Sequence, residues 1–171
     1  MRPERIVILG NAGSGKSTLS RILGAKTNYP VAHLDRLFWG PQWTKPEPEA
    51  FRARVSDVVN TETWISEGNY PRRTFDLRIP AADLIVWMDT PRIICLFRVL
   101  MRSLRNQTRS DLPDGCTEKI NAEFFAFLHY VWKFKSNDRP KIERLRLEYG
   151  PEVPVIHLKN KRQIEQFLSS L

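Results

Sequence analysis

An α/β fold built on a parallel sheet is what this sequence predicts, and three observations predict it. Five short apolar runs alternate with stretches of helical periodicity. One run, Leu84–Met88, is apolar at every position, as a strand covered on both faces requires. The first run empties into a glycine-rich loop that leads straight into a helix-forming stretch.

The elements follow in order. Arg5 to Leu9 is a β-branched strand closed by Gly10, and residues 16–26 carry Leu19, Ile22 and Leu23 at helical spacing. Val31 to Leu34 reads as a second strand ending at Asp35. Pro41, Pro46 and Pro48 follow, so that a helix is not expected to start before about Glu47. Phe51, Val55, Val58 and Val59 mark its buried face, and Thr63 to Ser66 is a third strand, closed by Glu67 and Gly68. Leu84–Met88 is followed by a helix from Pro91 to about Leu104, with Ile94, Phe97, Leu100, Met101 and Leu104 on its apolar side. A long aromatic helix from Glu118 to about Lys135, a charged one from Pro140 to Tyr149, a strand from Val153 to Leu158 and a helix over residues 163–171 complete the chain.

With 171 residues and 42% hydrophobic content, residues 1–171 are expected to form one domain around one core. The segment from about 105 to 138 interrupts the alternation with an extra loop and helix, and reads as a lid. The apolar runs fall far short of the roughly 20 residues that cross a bilayer, and the N-terminus lacks the apolar stretch of a signal peptide, so a soluble cytoplasmic protein is expected. Cys95 and Cys116 have neither zinc nor disulfide spacing. A formal charge of +8 calls for an anionic partner, with nucleotide phosphates and DNA both qualifying.

Residues 10–17 read Gly-Asn-Ala-Gly-Ser-Gly-Lys-Ser, the pattern GxxxxGK[ST] between a strand and a helix. Gly10, Gly13 and Gly15 let the backbone wrap an anion with its N–H groups inward, a geometry that side chains obstruct. The loop from Gly10 through Asn11, Ala12, Gly13, Ser14 and Gly15 to Lys16, Ser17 and Thr18 is therefore the candidate site for a nucleoside triphosphate, ATP or GTP. Lys16 is placed for the β- and γ-phosphates, Ser17 for Mg²⁺, and the helix start adds its positive end. No NKxD guanine signature occurs, and the small size together with a lid points to phosphoryl transfer to a small acceptor.

Ligands gather at the carboxyl ends of parallel strands, where Asp35, Glu67 and Asp89 fall. Glu67 is the candidate for the magnesium shell, against the alternative of a helix-capping carboxylate. Asp35 is the candidate acceptor contact or base. Asp89, ahead of Pro91, reads most simply as a helix N-cap, and His33 as a packed histidine.

Between residues 90 and 110 stand five arginines and no acid, with Arg98, Arg102, Arg105 and Arg109 on one helical face. Such a cluster neutralises a transferred phosphoryl group; a solvated basic face and a DNA-backbone contact are the alternatives. Arg139 lies where a closing lid can add it. Helical spacing explains most of the aromatic run from Phe124 to Phe134 as packing, with base stacking as the rival. Trp39 and Trp43 read either as lining of an acceptor pocket or as core.

Together, GNAGSGKSTLSR, HLDRLFW, WISEGNY, DLRIPAADLIVWMDTPR, RVLMR, RSDLPDGC and EFFAFLHYVWKFKSNDRPKI make the chain resemble the DNA topology modulation (FlaR-related) proteins. That family is similar to the adenylate and shikimate kinases, small P-loop kinases. The resemblance implies a three-layer α/β/α P-loop NTPase fold with strand order 2-3-1-4-5 and a helical lid. It implies that Glu67-Gly68 orders magnesium, that Arg98 and Arg102 meet the nucleotide and its phosphates, that Arg139 is the arginine returning after the lid, and that residues 159–161 touch adenine. Two departures stand out. One residue is added in the acceptor loop Glu67-Gly68-Asn69-Tyr70-Pro71-Arg72, and Trp and Pro follow Asp35 where nucleoside-monophosphate kinases carry a binding helix. The expected activity is transfer of the γ-phosphoryl of Mg-ATP to a small acceptor. A nucleotide-regulated DNA-binding protein is the rival.

Overall fold

In the computed structural model, which describes residues 2–105 and 121–171, five parallel strands form one sheet in the order β2-β3-β1-β4-β5. The strands are β1 (Arg5–Gly10), β2 (Val31–His33), β3 (Trp64–Glu67), β4 (Leu84–Met88) and β5 (Val155–Leu158). Between them run α1 (Lys16–Thr27), α2 (Leu34–Phe38), α3 (Pro48–Val59), α4 (Pro71–Arg78), α5 (Arg92–Leu104), α6 (Ala122–Asn137), α7 (Arg139–Tyr149) and α8 (Lys161–Ser169).

Alternation along the strands splits the core between the two faces of the sheet. Ile6, Ile8, Ile65, Val86 and Met88 meet Leu19 and Leu23 of α1 and Phe167 of α8. Val7, Leu9, Trp64, Ile85 and Trp87 meet Phe75 of α4, Ile79 just after it, Phe134 of α6 and Ile142 of α7. Helices therefore cover both faces, and the expected three layers are present. The strand–loop–helix unit at residues 10–17 lies at the carboxyl end of the central strand, beside the ends of β3 and β4.

Two helices escape the periodicity reading. The short α2 fits between His33 and the prolines, and its Leu34 and Phe38 pack with Phe51 and Val55 of α3. The other, α4, begins at Pro71, a proline at the first helical position where its missing N–H costs nothing. The apolar side of α5 is also corrected: Cys95, Val99 and Ser103 are buried, whereas Phe97 and Leu104 are 62% and 59% exposed. Cys95 and Val99 pack against Phe124 and Val131 of α6. That rotation turns Arg98 and Arg102 toward the glycine loop.

Of the stretch read as a lid, residues 106–120, with Arg109 and Cys116, lie outside the described residues. Its described helix, α6, packs on α5 and the sheet. Among the described residues no helix is long and apolar enough to cross a membrane.

Candidate active site

The loop after β1 is shaped by contacts that exclude side chains. Gly13 has φ 74°, and a Cβ there would lie 2.5 Å from the Cys95 carbonyl oxygen, so the loop rests directly on the backbone of α5. At Gly15, with φ 101°, an added Cβ would meet nothing nearer than Arg98 Nη1 at 3.5 Å. The outer side of the loop is thus packed and its inner side open. Lys16 Nζ donates to the Asn11 carbonyl at 3.0 Å. Arg98 Nη1 donates to the carbonyls of Gly13 and Ser14 at 3.3 and 3.2 Å, which brings its charge against the loop from α5.

The loop opens into a cleft of about 1240 Å³, lined by Ala12 to Thr18 together with Asp35, Glu67, Arg98 and Arg102. This exceeds the roughly 300–1,000 Å³ of a pocket for one drug-sized ligand. Gly10 and Asn11 stand behind the lining. The Asn11 amide donates to the Val131 carbonyl at 2.8 Å, so its side chain ties the loop to α6 instead of facing the cleft. Ser14 lines the cleft, but its Oγ is buried without a hydrogen-bond partner among the described residues.

Glu67 ends β3 directly opposite His33 of β2, so the two side chains are cross-strand neighbours. Its Oε1 accepts from Ser17 Oγ and His33 Nδ1, each at 2.9 Å. Burial alone would raise the Glu67 carboxyl, but the His33 hydrogen bond, the Lys16 charge and the Ser17 hydroxyl outweigh it and hold the group below the usual carboxylate range. His33 is therefore more than packing. The paired oxygens of Ser17 and Glu67 suit Mg²⁺, which is ordinarily held by one or two protein oxygens plus phosphates and water.

Past β3 the chain is held at three points. Asn69 brackets Gly10, accepting from its N–H at 3.1 Å and donating to its carbonyl at 3.0 Å. Tyr70 adopts φ 41°, ψ 47° just before Pro71, a left-handed conformation that costs a non-glycine residue about 1–3 kcal/mol. Its hydroxyl donates to Asp35 Oδ1 at 2.8 Å, and burial, followed by the Asp35 charge, raises its pKa so that it stays a donor. Beneath them lies Arg78, fully buried and without an ion pair to a carboxylate among the described residues. Its guanidinium donates to Thr74 and Ser66 hydroxyls and to the carbonyls of Gly68 and Asn69. Burial pushes it down to about 9, with the Glu67 charge acting in the opposite direction, so it is a cation at neutral pH.

The structure gathers Lys16, Ser17, Thr18, Asp35, Glu67, Arg98 and Arg102 around one cleft. It places Arg139 elsewhere, with Nη1 2.7 Å from Asp89 Oδ1 and the guanidinium over the Trp87 ring. Asp89 is accordingly not a helix cap; the N-cap of α5 is Pro91, without a side-chain bond. Trp39 lines the cleft and Trp43 does not, packing edge-on against Trp39. From the aromatic helix Phe127 and Tyr130 reach the cleft, and from α8 Ile164 does so.

No protein-family model matches the chain, and no curated protein matches it. Among solved structures it is similar to shikimate kinase from Bacteroides thetaiotaomicron, with 16% identity over 99% of this chain and 96% of that one and a TM-score of 0.59. It is also similar to deoxyadenosine kinase from M. mycoides with bound dATP, with 15% identity over 97% and 98% and a TM-score of 0.55. Shikimate kinase from Acinetobacter baumannii in complex with shikimate gives 15% identity over 98% and 89%, with a TM-score of 0.52. These likenesses establish a P-loop kinase-like fold for this chain.

Proposed function

We propose that this chain, as a single domain over residues 1–171, is a P-loop kinase that transfers the γ-phosphoryl group of Mg-ATP to a small acceptor. We also read it as a member of the DNA topology modulation family, on the segments quoted above. The observation that carries the kinase reading is one cleft lined together by a glycine loop, Lys16, the hydrogen-bonded Ser17–Glu67 pair and Asp35.

The backbone N–H groups of residues 12–18 receive the phosphates, and Lys16, Arg98 and Arg102 neutralise the charge spread over the transferred group. Ser17 and Glu67 would hold Mg²⁺, which would supply further positive charge at the phosphates. Asp35, oriented by Tyr70, takes the proton of an acceptor hydroxyl as that oxygen bonds to the γ-phosphorus. The bond to the β–γ bridging oxygen breaks, and ADP leaves with the electron pair. Arg139 joins the site by exchanging Asp89 for phosphate oxygens when nucleotide is bound.

A screen of hydroxyl and phosphate compounds for ADP release from Mg-ATP tests the reading. Acceptor-dependent release is expected, along with duplex DNA binding that collapses as salt rises. Duplex binding that survives near-physiological salt and responds to ATP, with the whole acceptor panel silent, would sink it.

His33 is expected to act through Glu67. His33→Ala should weaken the Mg²⁺-dependent part of ADP affinity by about tenfold, whereas affinity in EDTA stays at the wild-type value. Titration calorimetry with and without Mg²⁺ measures both, and His33→Asn, which keeps a donor, should recover part of the loss.

A further inference from the structure

Among the described residues twelve large apolar or aromatic side chains are exposed, and five of them stand on one helix, α5. Four of the five, Ile93, Phe97, Leu100 and Leu104, follow one another at intervals of 4, 3 and 4 residues and are 68%, 62%, 40% and 59% exposed. That spacing is the heptad seam by which one helix packs against another, and it keeps a single apolar row facing outward along the whole of α5. Single exposed apolar residues are ordinary, whereas a continuous row marks a contact.

The surface continues onto α6, on which α5 packs through Cys95 and Val99 against Phe124 and Val131. Beside that pair in sequence stand Phe125 and Trp132, two turns apart on α6 and 63% and 38% exposed. Arg92, at the start of α5, lies over the Trp132 ring 3.8 Å from its centre and joins the two helices into one surface. With about 200 Å² for each large side chain, the six exposures leave on the order of 650 Å² of apolar surface open. This exceeds the roughly 300–600 Å² of the largest patch on an ordinary monomer. It falls within the roughly 600–1,000 Å² that each partner contributes to a standard interface.

We propose that this surface is the contact between two copies of the chain, a symmetric dimer in which α5 and α6 of one protomer pack on α5 and α6 of its partner. A twofold axis lays each seam on its twin, so the chain itself supplies the helix that the spacing calls for. No arginine of α5 interrupts the row: Arg98 and Arg102 line the cleft, Arg92 sits at the edge on Trp132, and Arg105 follows the last turn. An apolar centre edged by aromatic and arginine side chains is the composition of a protein interface. A helix lying on a lipid surface would instead turn its arginines outward beside the apolar row. Because an added Cβ at Gly13 would meet the Cys95 carbonyl, the glycine loop rests on α5, and the dimer contact backs that loop in each protomer.

Sedimentation equilibrium of the full chain at near-physiological salt tests the contact, with a dimer expected to dissociate at about 10 μM or below. The double variant Phe97→Glu/Leu104→Glu sets two carboxylates in the row and should weaken the dimer at least about a hundredfold. Circular dichroism checks that it keeps its helical content; if it does not, the milder Leu104→Ser, expected to weaken the dimer by about fivefold, carries the comparison. Leu147→Glu, at an exposed apolar position on α7, should leave the dimer unchanged. A monomer at every concentration up to about 100 μM, or a dimer indifferent to the row variants, overturns the proposal. A monomer that cosediments with anionic phospholipid vesicles overturns it as well and assigns the row to a lipid surface.

Discussion

Glu67→Gln is expected to lower ADP release by about two to three orders of magnitude, the range found when one preorganised charge-stabilising group is removed from a transfer site. The substitution keeps shape and an acceptor oxygen for Ser17 and His33. What it removes is charge. Because the hydrogen bond from His33, the Lys16 charge and the Ser17 hydroxyl hold Glu67 ionised against its burial, the wild-type site presents a carboxylate at any pH near neutrality. Nucleotide affinity in EDTA should be unchanged, whereas the gain in affinity on adding Mg²⁺ should largely disappear. Calorimetry and a coupled ADP assay on the same preparation separate the two effects. Wild-type turnover in this variant would remove Glu67 from the magnesium role.

The second large effect is on stability. Arg78→Ala should cost about 3–5 kcal/mol, the range seen when one partner of a buried charged network is deleted. Alanine leaves the Ser66 hydroxyl and the Gly68 and Asn69 carbonyls without their buried donor. It also opens a cavity under Phe75, whose ring lies 5.4 Å from the guanidinium carbon. For a domain of this size the melting temperature should fall by on the order of 10 °C, and urea titration should show the loss as a lower midpoint. A change within about 0.5 kcal/mol would mean that water replaces the guanidinium, contrary to its full burial.

The parts of this molecule written as periodicity or as a contiguous motif were legible in the sequence. The five strands, the glycine loop and the acids at strand ends are of that kind. What was not legible depends on pairings between distant segments. His33 reads as a packed residue until the β2–β3 register sets it opposite Glu67. Arg78 lies in a stretch too polar for an obvious buried face, so an arginine there gives no sign that it is enclosed. The apolar side of α5 misled because Ile94, Phe97, Leu100 and Leu104 form the larger hydrophobic stripe. The fold instead buries the smaller residues Cys95 and Ser103, together with Val99, where α5 meets the loop and α6. Arg139 illustrates a different limit: spacing places it near the end of α6, but only the folded chain shows its guanidinium on Asp89.

The stretch from Glu67 to Pro71 links both sides of the cleft through adjacent residues: Glu67 to Ser17, Asn69 to Gly10 and Tyr70 to Asp35. Donor and acceptor affinities in such an arrangement are thermodynamically linked, with each substrate changing the affinity for the other by the same factor whichever arrives first. On the kinase reading, a substitution in this shared stretch is expected to disturb both affinities at once. One at Trp39, which lines the cleft outside it, is expected to move the affinity for one substrate while the phosphate loop keeps its grip on the other.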